Sequence, residues 1–209
     1  VGGAQAAGSV AVDYGAMREN VYYCFAGHKA LQGPAGTGGI LLPNDRLPLH
    51  VFGGTGVHSS LMEHPGTLPL RHEAGTPTLS GYAGLAAGLD FVRERGIASL
   101  GAHRAELVRR FTGRVKSLPG LNLVPNHSED YSAGIVSFYV DGVNPQELSL
   151  VLSESFHIHT RSGLHCAPLV NSGFNLPPRG TVRISVGPYS TFEDIESAIY
   201  ALTVATKIL

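Results

Sequence analysis

Phe25-Ala26-Gly27-His28-Lys29-Ala30-Leu31-Gln32-Gly33-Pro34-Ala35-Gly36-Thr37-Gly38-Gly39 decides how the rest of the chain reads. An apolar run, Val21-Tyr22-Tyr23-Cys24-Phe25, stops at Gly27, and a lysine follows in a loop too rich in glycine for a helix. A short apolar run bounded by turn residues predicts a buried strand. Lys29 then lies just past a strand end, at the carboxyl edge of a sheet, where open α/β folds bind ligands. An amine partly withdrawn from water at such an edge is suited to Schiff-base chemistry.

Working outward, Gly39-Ile40-Leu41-Leu42 reads as a second strand, antiparallel to the first. On the other side, Val1-Gly2-Gly3-Ala4-Gln5-Ala6-Ala7-Gly8 reads as the end of a strand entering a loop, with nothing ahead of it to pair with. That opening is expected of the middle of a protein. Residues 43–77 read as irregular, with turn clusters at Gly53-Gly54-Thr55-Gly56 and Glu73-Ala74-Gly75-Thr76-Pro77. So long an irregular stretch inside a domain is usually functional.

Helical periodicity then takes over. Tyr82, Leu85, Leu89 and Val92 recur at spacings of three and four, and Gly96 supplies a stop. Leu100, Leu107, Phe111, Val115 and Leu118 trace a second stripe ended by Pro119-Gly120. Residues 121–124, 135–140, 157–160 and 181–186 read as strands. Asn144 with Glu147 predicts a capping box, and Thr191 with Asp194 another, ahead of a last helix with Ile195, Ile199 and Leu202 on its face. The expected division is a sheet-bearing piece over residues 1–90 and a smaller α+β domain over 91–209.

The composition is that of a globular chain: 209 residues, 43% hydrophobic and 15% charged. A formal net charge of −1 gives no electrostatic reason to expect nucleic acid or an anionic membrane. No apolar run reaches the length of a membrane span. Cys24 and Cys166 make no disulfide framework, so the expected location is cytoplasmic.

The second informative loop is Arg161-Ser162-Gly163-Leu164-His165-Cys166-Ala167-Pro168-Leu169. A cysteine in a polar, glycine-containing loop is expected to be exposed, and neighbouring Arg161 and His165 are expected to favour its nucleophilic form. His157, His159 and His165 lie close in sequence, but no carboxylate or second cysteine completes a tetrahedral set, so no metal is expected.

Together the two loops resemble the cysteine desulfurase and selenocysteine lyase branch of the class V aminotransferases, pyridoxal-phosphate enzymes of fold type I. Gly27-His28-Lys29 through Gly33-Pro34-Ala35-Gly36 is similar to the cofactor-lysine segment. Gly53-Gly54-Thr55-Gly56 resembles the phosphate-binding loop, and Glu73-Ala74-Gly75-Thr76-Pro77 the turn into the interdomain helix. Residues 161–169 resemble the loop with the sulfur-accepting cysteine. Val182-Arg183-Ile184-Ser185 resembles the strand that presents a carboxylate-binding arginine. The motifs run in family order along essentially the whole chain.

The resemblance implies an α/β fold: the C-terminal part of the large cofactor domain, followed by a smaller α+β domain. It implies that Lys29 holds pyridoxal 5'-phosphate covalently and moves the substrate's Cα proton. His28, Gln5 and Thr55 would contact the cofactor, with Thr55 serving a neighbouring subunit in a homodimer. Arg183 would clamp the carboxylate of cysteine or selenocysteine, and Arg161 would assist. Cys166 would take the sulfur as a persulfide, for transfer to an acceptor protein. Three departures stand against this pattern. Gly2 holds the place of the aspartate that pairs with the pyridine nitrogen, and Ala26 that of a phosphate-binding hydroxyl residue. The N-terminal half of the large domain has no counterpart here. Three readings follow: a weakly active desulfurase-like enzyme, a cofactor-free degenerate relative, or another class V activity such as a transaminase or epimerase.

Overall fold

The computed structural model describes residues 1–17, 19–54, 56–124 and 133–209. The apolar run before the lysine forms β1 (Tyr23–Ala26), and β2 (Gly38–Leu41) pairs with it antiparallel, Tyr23 opposite Leu41 and Ala26 opposite Gly38. On the other edge of β1, Gly2 bridges Cys24 in parallel, and Cys24 N–H donates to the Val1 carbonyl at 3.0 Å. The chain opening therefore does pair, with the lysine strand itself. Burial departs from the expectation. Tyr23 is buried, but Cys24 and all of β2 are exposed.

After the irregular stretch comes α1 (Leu79–Arg95). The Thr78 side chain accepts a hydrogen bond from Gly81 N–H, and Gly96, at φ 79°, ends the helix in a conformation that favours glycine. The expected stripe is half wrong. Leu85 and Val92 are buried, whereas Tyr82 and Leu89 are 43% and 44% exposed. Gly81 and Gly88 take the inward positions instead.

The chain divides into two units, Val1–Ile97 and Ala98–Leu209. The second is built on an antiparallel sheet of order β3-β4-β6-β5, from β3 (Leu121–Leu123), β4 (Ile135–Val140), β5 (Arg161–Gly163) and β6 (Thr181–Ser185). Alternation sorts its faces. Val136, Phe138, Val140, Val182 and Ile184 point into a core shared with α2 (Ile97–Val115), α3 (Pro145–Phe156) and α5 (Phe192–Ile208). The α2 stripe is as expected: Leu100, Leu107, Phe111 and Val115 are all buried. Fully burying an apolar side chain of this size contributes about 1.5–3 kcal/mol.

The capping signals are of two kinds. Thr191 and Asp194 form the full reciprocal box on α5. Asn144 instead accepts from Gln146 N–H, and its amide lies 3.4 Å from the Glu147 carboxylate, so that box is not reciprocal. The strand expected over 157–160 is absent. His157 caps α3 in the left-handed region (φ 56°), and Ile158 N–H reaches back to the Leu152 carbonyl at 2.9 Å. The His-Ile-His-Thr alternation imitated a strand because Ile158 packs on the core from this cap. Strand β5 begins only at Arg161, and a six-residue helix, α4 (Pro168–Gly173), follows the cysteine. Among the described residues no helix is long and apolar enough to cross a membrane.

Candidate active-site loops

The lysine loop is knitted to its surroundings by backbone contacts. Gly27 N–H donates to the Thr37 carbonyl and Gly33 N–H to the Gly27 carbonyl, both at 2.8 Å. The Lys29 carbonyl accepts from Gln32 N–H at 3.0 Å and from the Gln32 side-chain amide at 3.3 Å. Both sides of the loop are crowded. A Cβ added at Gly8 would stand 2.7 Å from the Ala30 carbonyl oxygen, and one at Gly88 would stand 2.3 Å from that of Leu31. The backbone of Lys29 is thus fixed. Its side chain is half-buried, and among the described residues its ammonium has no hydrogen-bond or ion-pair partner. An amine in that condition is available for covalent chemistry.

The other residues expected near a cofactor are placed as follows. His28 and Gln5 are exposed within the same unit as Lys29, and Thr55 lies outside the described residues. Around residues 53–56 a cavity of about 470 Å³ is lined by Gly53, Gly54, Gly56, His58 and His64. Both ring nitrogens of His64 are shielded from solvent without a partner. A Cβ built on Gly2 meets nothing within 4 Å. A side chain has room there, but the chain supplies no carboxylate.

Strand β6 carries the second group. Thr181 and Arg183 point away from the core, on the face opposite Val182 and Ile184. Register sets Arg161 of β5 directly opposite Arg183. Two guanidinium groups in facing positions repel one another, and among the described residues neither has an acidic partner. Arg183 Nε is shielded from water with no partner, and burial, then the charge of Arg161, pushes the Arg183 guanidinium below its ordinary pKa. Arg161 Nη2 donates to the sulfur of Cys166 at 3.1 Å. Cys166 is exposed and free, as is Cys24.

His165 does not play the part expected of it. Its Nε2 lies 3.1 Å from the Thr181 carbonyl oxygen and 2.9 Å from the Thr181 hydroxyl. Burial, then the charge of Arg183, holds its pKa below the ordinary histidine value. The cationic groups acting on the sulfur are therefore Arg161, which donates to it, and Arg183, whose charge couples to Cys166. His159 Nδ1 lies 3.2 Å from the Ser153 hydroxyl, and among the described residues no three potential ligands gather as a metal would require.

The family model for class-V aminotransferases matches residues 1–197. The chain belongs to that family. Within it, the chain is 33% identical to a probable cysteine desulfurase of Xylella fastidiosa strain Temecula1, covering 90% of this chain and 45% of that protein. It is 31% identical to a cysteine desulfurase of Synechococcus elongatus, over 96% of this chain and 32% of the relative. Its fold matches the apo cysteine desulfurase of Thermococcus onnurineus NA1 with TM-score 0.85 at 30% identity, covering all of this chain and 52% of that one. The cysteine desulfurase CsdA of Escherichia coli matches with TM-score 0.86 at 25% identity, over 51% of its length. The chain spans about half the length of the solved structures it matches, and they share the α/β fold expected from the sequence.

Two features of these class-V loops escaped sequence reasoning. One is the glycine face of α1, Gly81, Gly84 and Gly88, whose spacing of three and four is visible once glycine is counted as a contact residue. The other is the His165–Thr181 contact, for which the sequence holds no local signal.

Proposed function

We propose that this chain carries cysteine desulfurase-like chemistry, moving the sulfur of L-cysteine onto Cys166 and leaving L-alanine. One observation carries the reading: Arg161 and Arg183 face each other with no acidic partner among the described residues, beside an exposed thiol. The carboxylate of an amino acid supplies the missing anion, and a planar guanidinium is the donor suited to grip it. Because Arg161 already donates to Cys166, the carboxylate grip falls to Arg183.

Pyridoxal 5'-phosphate suits the lysine loop, since among the described residues the Lys29 ammonium is unpaired and its backbone is held by hydrogen bonds. His28, Gln5 and Thr55 are the further residues that the family pattern sets against it. When bound, this group draws electrons from the amino acid's Cα. The Lys29 amine takes up and returns the Cα proton. Arg183 holds the carboxylate still. The Cys166 sulfur attacks the substrate sulfur; the new S–S bond forms as the substrate's Cβ–S bond breaks, the bonding pair goes to Cβ, and a proton taken up there completes the methyl group of alanine. Gly2 offers no acid and Ala26 no hydroxyl, so we infer turnover well below that of a family member with both. The same pattern supports a homodimer, a cytoplasmic setting and a thiol-bearing acceptor protein.

The reading is tested by treating the chain with pyridoxal phosphate and borohydride and mapping the modified peptide. Reduction should fix the group on Lys29, and Lys29→Ala should remain unmodified there. Absence of any label on Lys29 would favour the cofactor-free reading. Arg183→Lys should raise the cysteine requirement at least about tenfold, since a charged hydrogen bond contributes about 1.5–3 kcal/mol. Unchanged cysteine saturation in that variant would move the carboxylate role to Arg161.

A further inference from the structure

We propose that His165 is a positioning residue: its imidazole latches the Cys166 turn onto β6 and thereby holds the sulfur against Arg161. The inference rests on the reading of Cys166 as the reactive thiol, but its geometry stands apart from any cofactor.

His165 and Cys166 lie at φ 54° and 60°, two consecutive non-glycine residues in the left-handed region. Side chains avoid that region, and each such residue costs of order 1–2 kcal/mol. Something outside the turn must hold it. Within the turn, Ala167 N–H donates to the Leu164 carbonyl at 2.9 Å, which closes the loop without fixing it to the sheet. The fixing contact is the imidazole. A carbonyl oxygen only accepts, so His165 Nε2 must carry the proton and donate to Thr181. The other ring nitrogen, Nδ1, is shielded from water and among the described residues has no hydrogen-bond partner. The ring is therefore committed to one task, the tether to β6.

The tether has a prepared seat. Gly163, ending β5, and Gly180, preceding β6, approach so closely that a Cβ at Gly180 would stand 2.2 Å from the Gly163 carbonyl oxygen. This narrow crossing brings the Leu164–Cys166 turn back over Thr181, within reach of the ring. Thr181 itself is buried, so its hydroxyl is a fixed partner rather than a mobile surface group. The turn that leaves Arg161 at the start of β5 thus returns Cys166 to within 3.1 Å of the same arginine.

The test reads Cys166 alone, by peptide-resolved alkylation with iodoacetamide on the chain without cofactor, which also separates it from exposed Cys24. His165→Ala should slow alkylation of Cys166 about tenfold, the population factor that one or two such hydrogen bonds sustain. His165→Gln, whose side-chain amide can restore a donor to Thr181, should recover most of that loss. Thr181→Val, which keeps the shape and deletes the hydroxyl, should show a smaller slowing in the same direction. In the His165→Ala background, Arg161→Ala should add nothing, because the sulfur has already left the guanidinium. Wild-type alkylation in both His165→Ala and Thr181→Val would overturn the latch, as would a glutamine variant no better than alanine. Because no cofactor or turnover enters this measurement, its failure leaves the desulfurase reading to be decided by the Lys29 labelling, and the converse holds equally.

Discussion

Replacing Cys166 with alanine is expected to end persulfide formation from cysteine while leaving borohydride fixation of pyridoxal phosphate at Lys29 unchanged. The two residues sit in separate loops, Lys29 after β1 and Cys166 after β5. Deleting a nucleophile typically costs at least about 10³-fold in rate. Cys24→Ala is the control, since Cys24 is also exposed but lies on β1, and among the described residues no guanidinium donates to it. The mass gained by each protein after exposure to cysteine and cofactor reports the outcome. Sulfur bound at the original level in Cys166→Ala would show that the acceptor is another group.

Gly88→Ala is expected to destabilise the first unit, although glycine to alanine inside a helix ordinarily stabilises by about 1 kcal/mol. The sign reverses because the new methyl group would meet backbone, at 2.3 Å from the Leu31 oxygen and 2.8 Å from the Gln32 carbonyl carbon. Overpacking of this kind costs about 1–3 kcal/mol. Gly113→Ala provides the contrast: it too lies within a helix, α2, and an added Cβ there meets nothing within 4 Å. Urea midpoints should therefore move in opposite directions for the two variants. Labelling of Lys29 should weaken only in Gly88→Ala, because the displaced backbone is that of the lysine loop. A stabilised Gly88→Ala would mean that the loop yields without cost.

The elements that sequence disclosed were those whose signal lies in side chains close together along the chain. The α2 stripe of Leu100, Leu107, Phe111 and Val115 repeats with the helical period, and Thr191 with Asp194 spells out its own cap. The α1 face was misread because its contacts are made by glycines, which hydrophobic periodicity does not register; Tyr82 and Leu89 keep the period but face outward. Residues 157–160 misled for a related reason, an alternation produced by a helix cap rather than by a pleat. At the candidate site, Lys29, Cys166, Arg161 and Arg183 were each legible as residue types in loop and strand contexts. Their relations were not. That Arg161 stands opposite Arg183 follows from strand register, and that His165 serves Thr181 rather than the thiol follows from a close crossing at Gly163 and Gly180. Both depend on pairing between distant segments, which single-chain patterns do not encode.

The facing arginines make the medium part of this protein's chemistry. A pair of positive groups with no acid between them among the described residues can draw other small oxyanions as well as a carboxylate. On the proposed reading, sulfate or phosphate from a buffer would therefore compete for the same donors as an amino acid's carboxylate, and dissolved salt would weaken the attraction for all of them. Ionic composition thus belongs among the variables that set apparent affinity here, on the same footing as temperature.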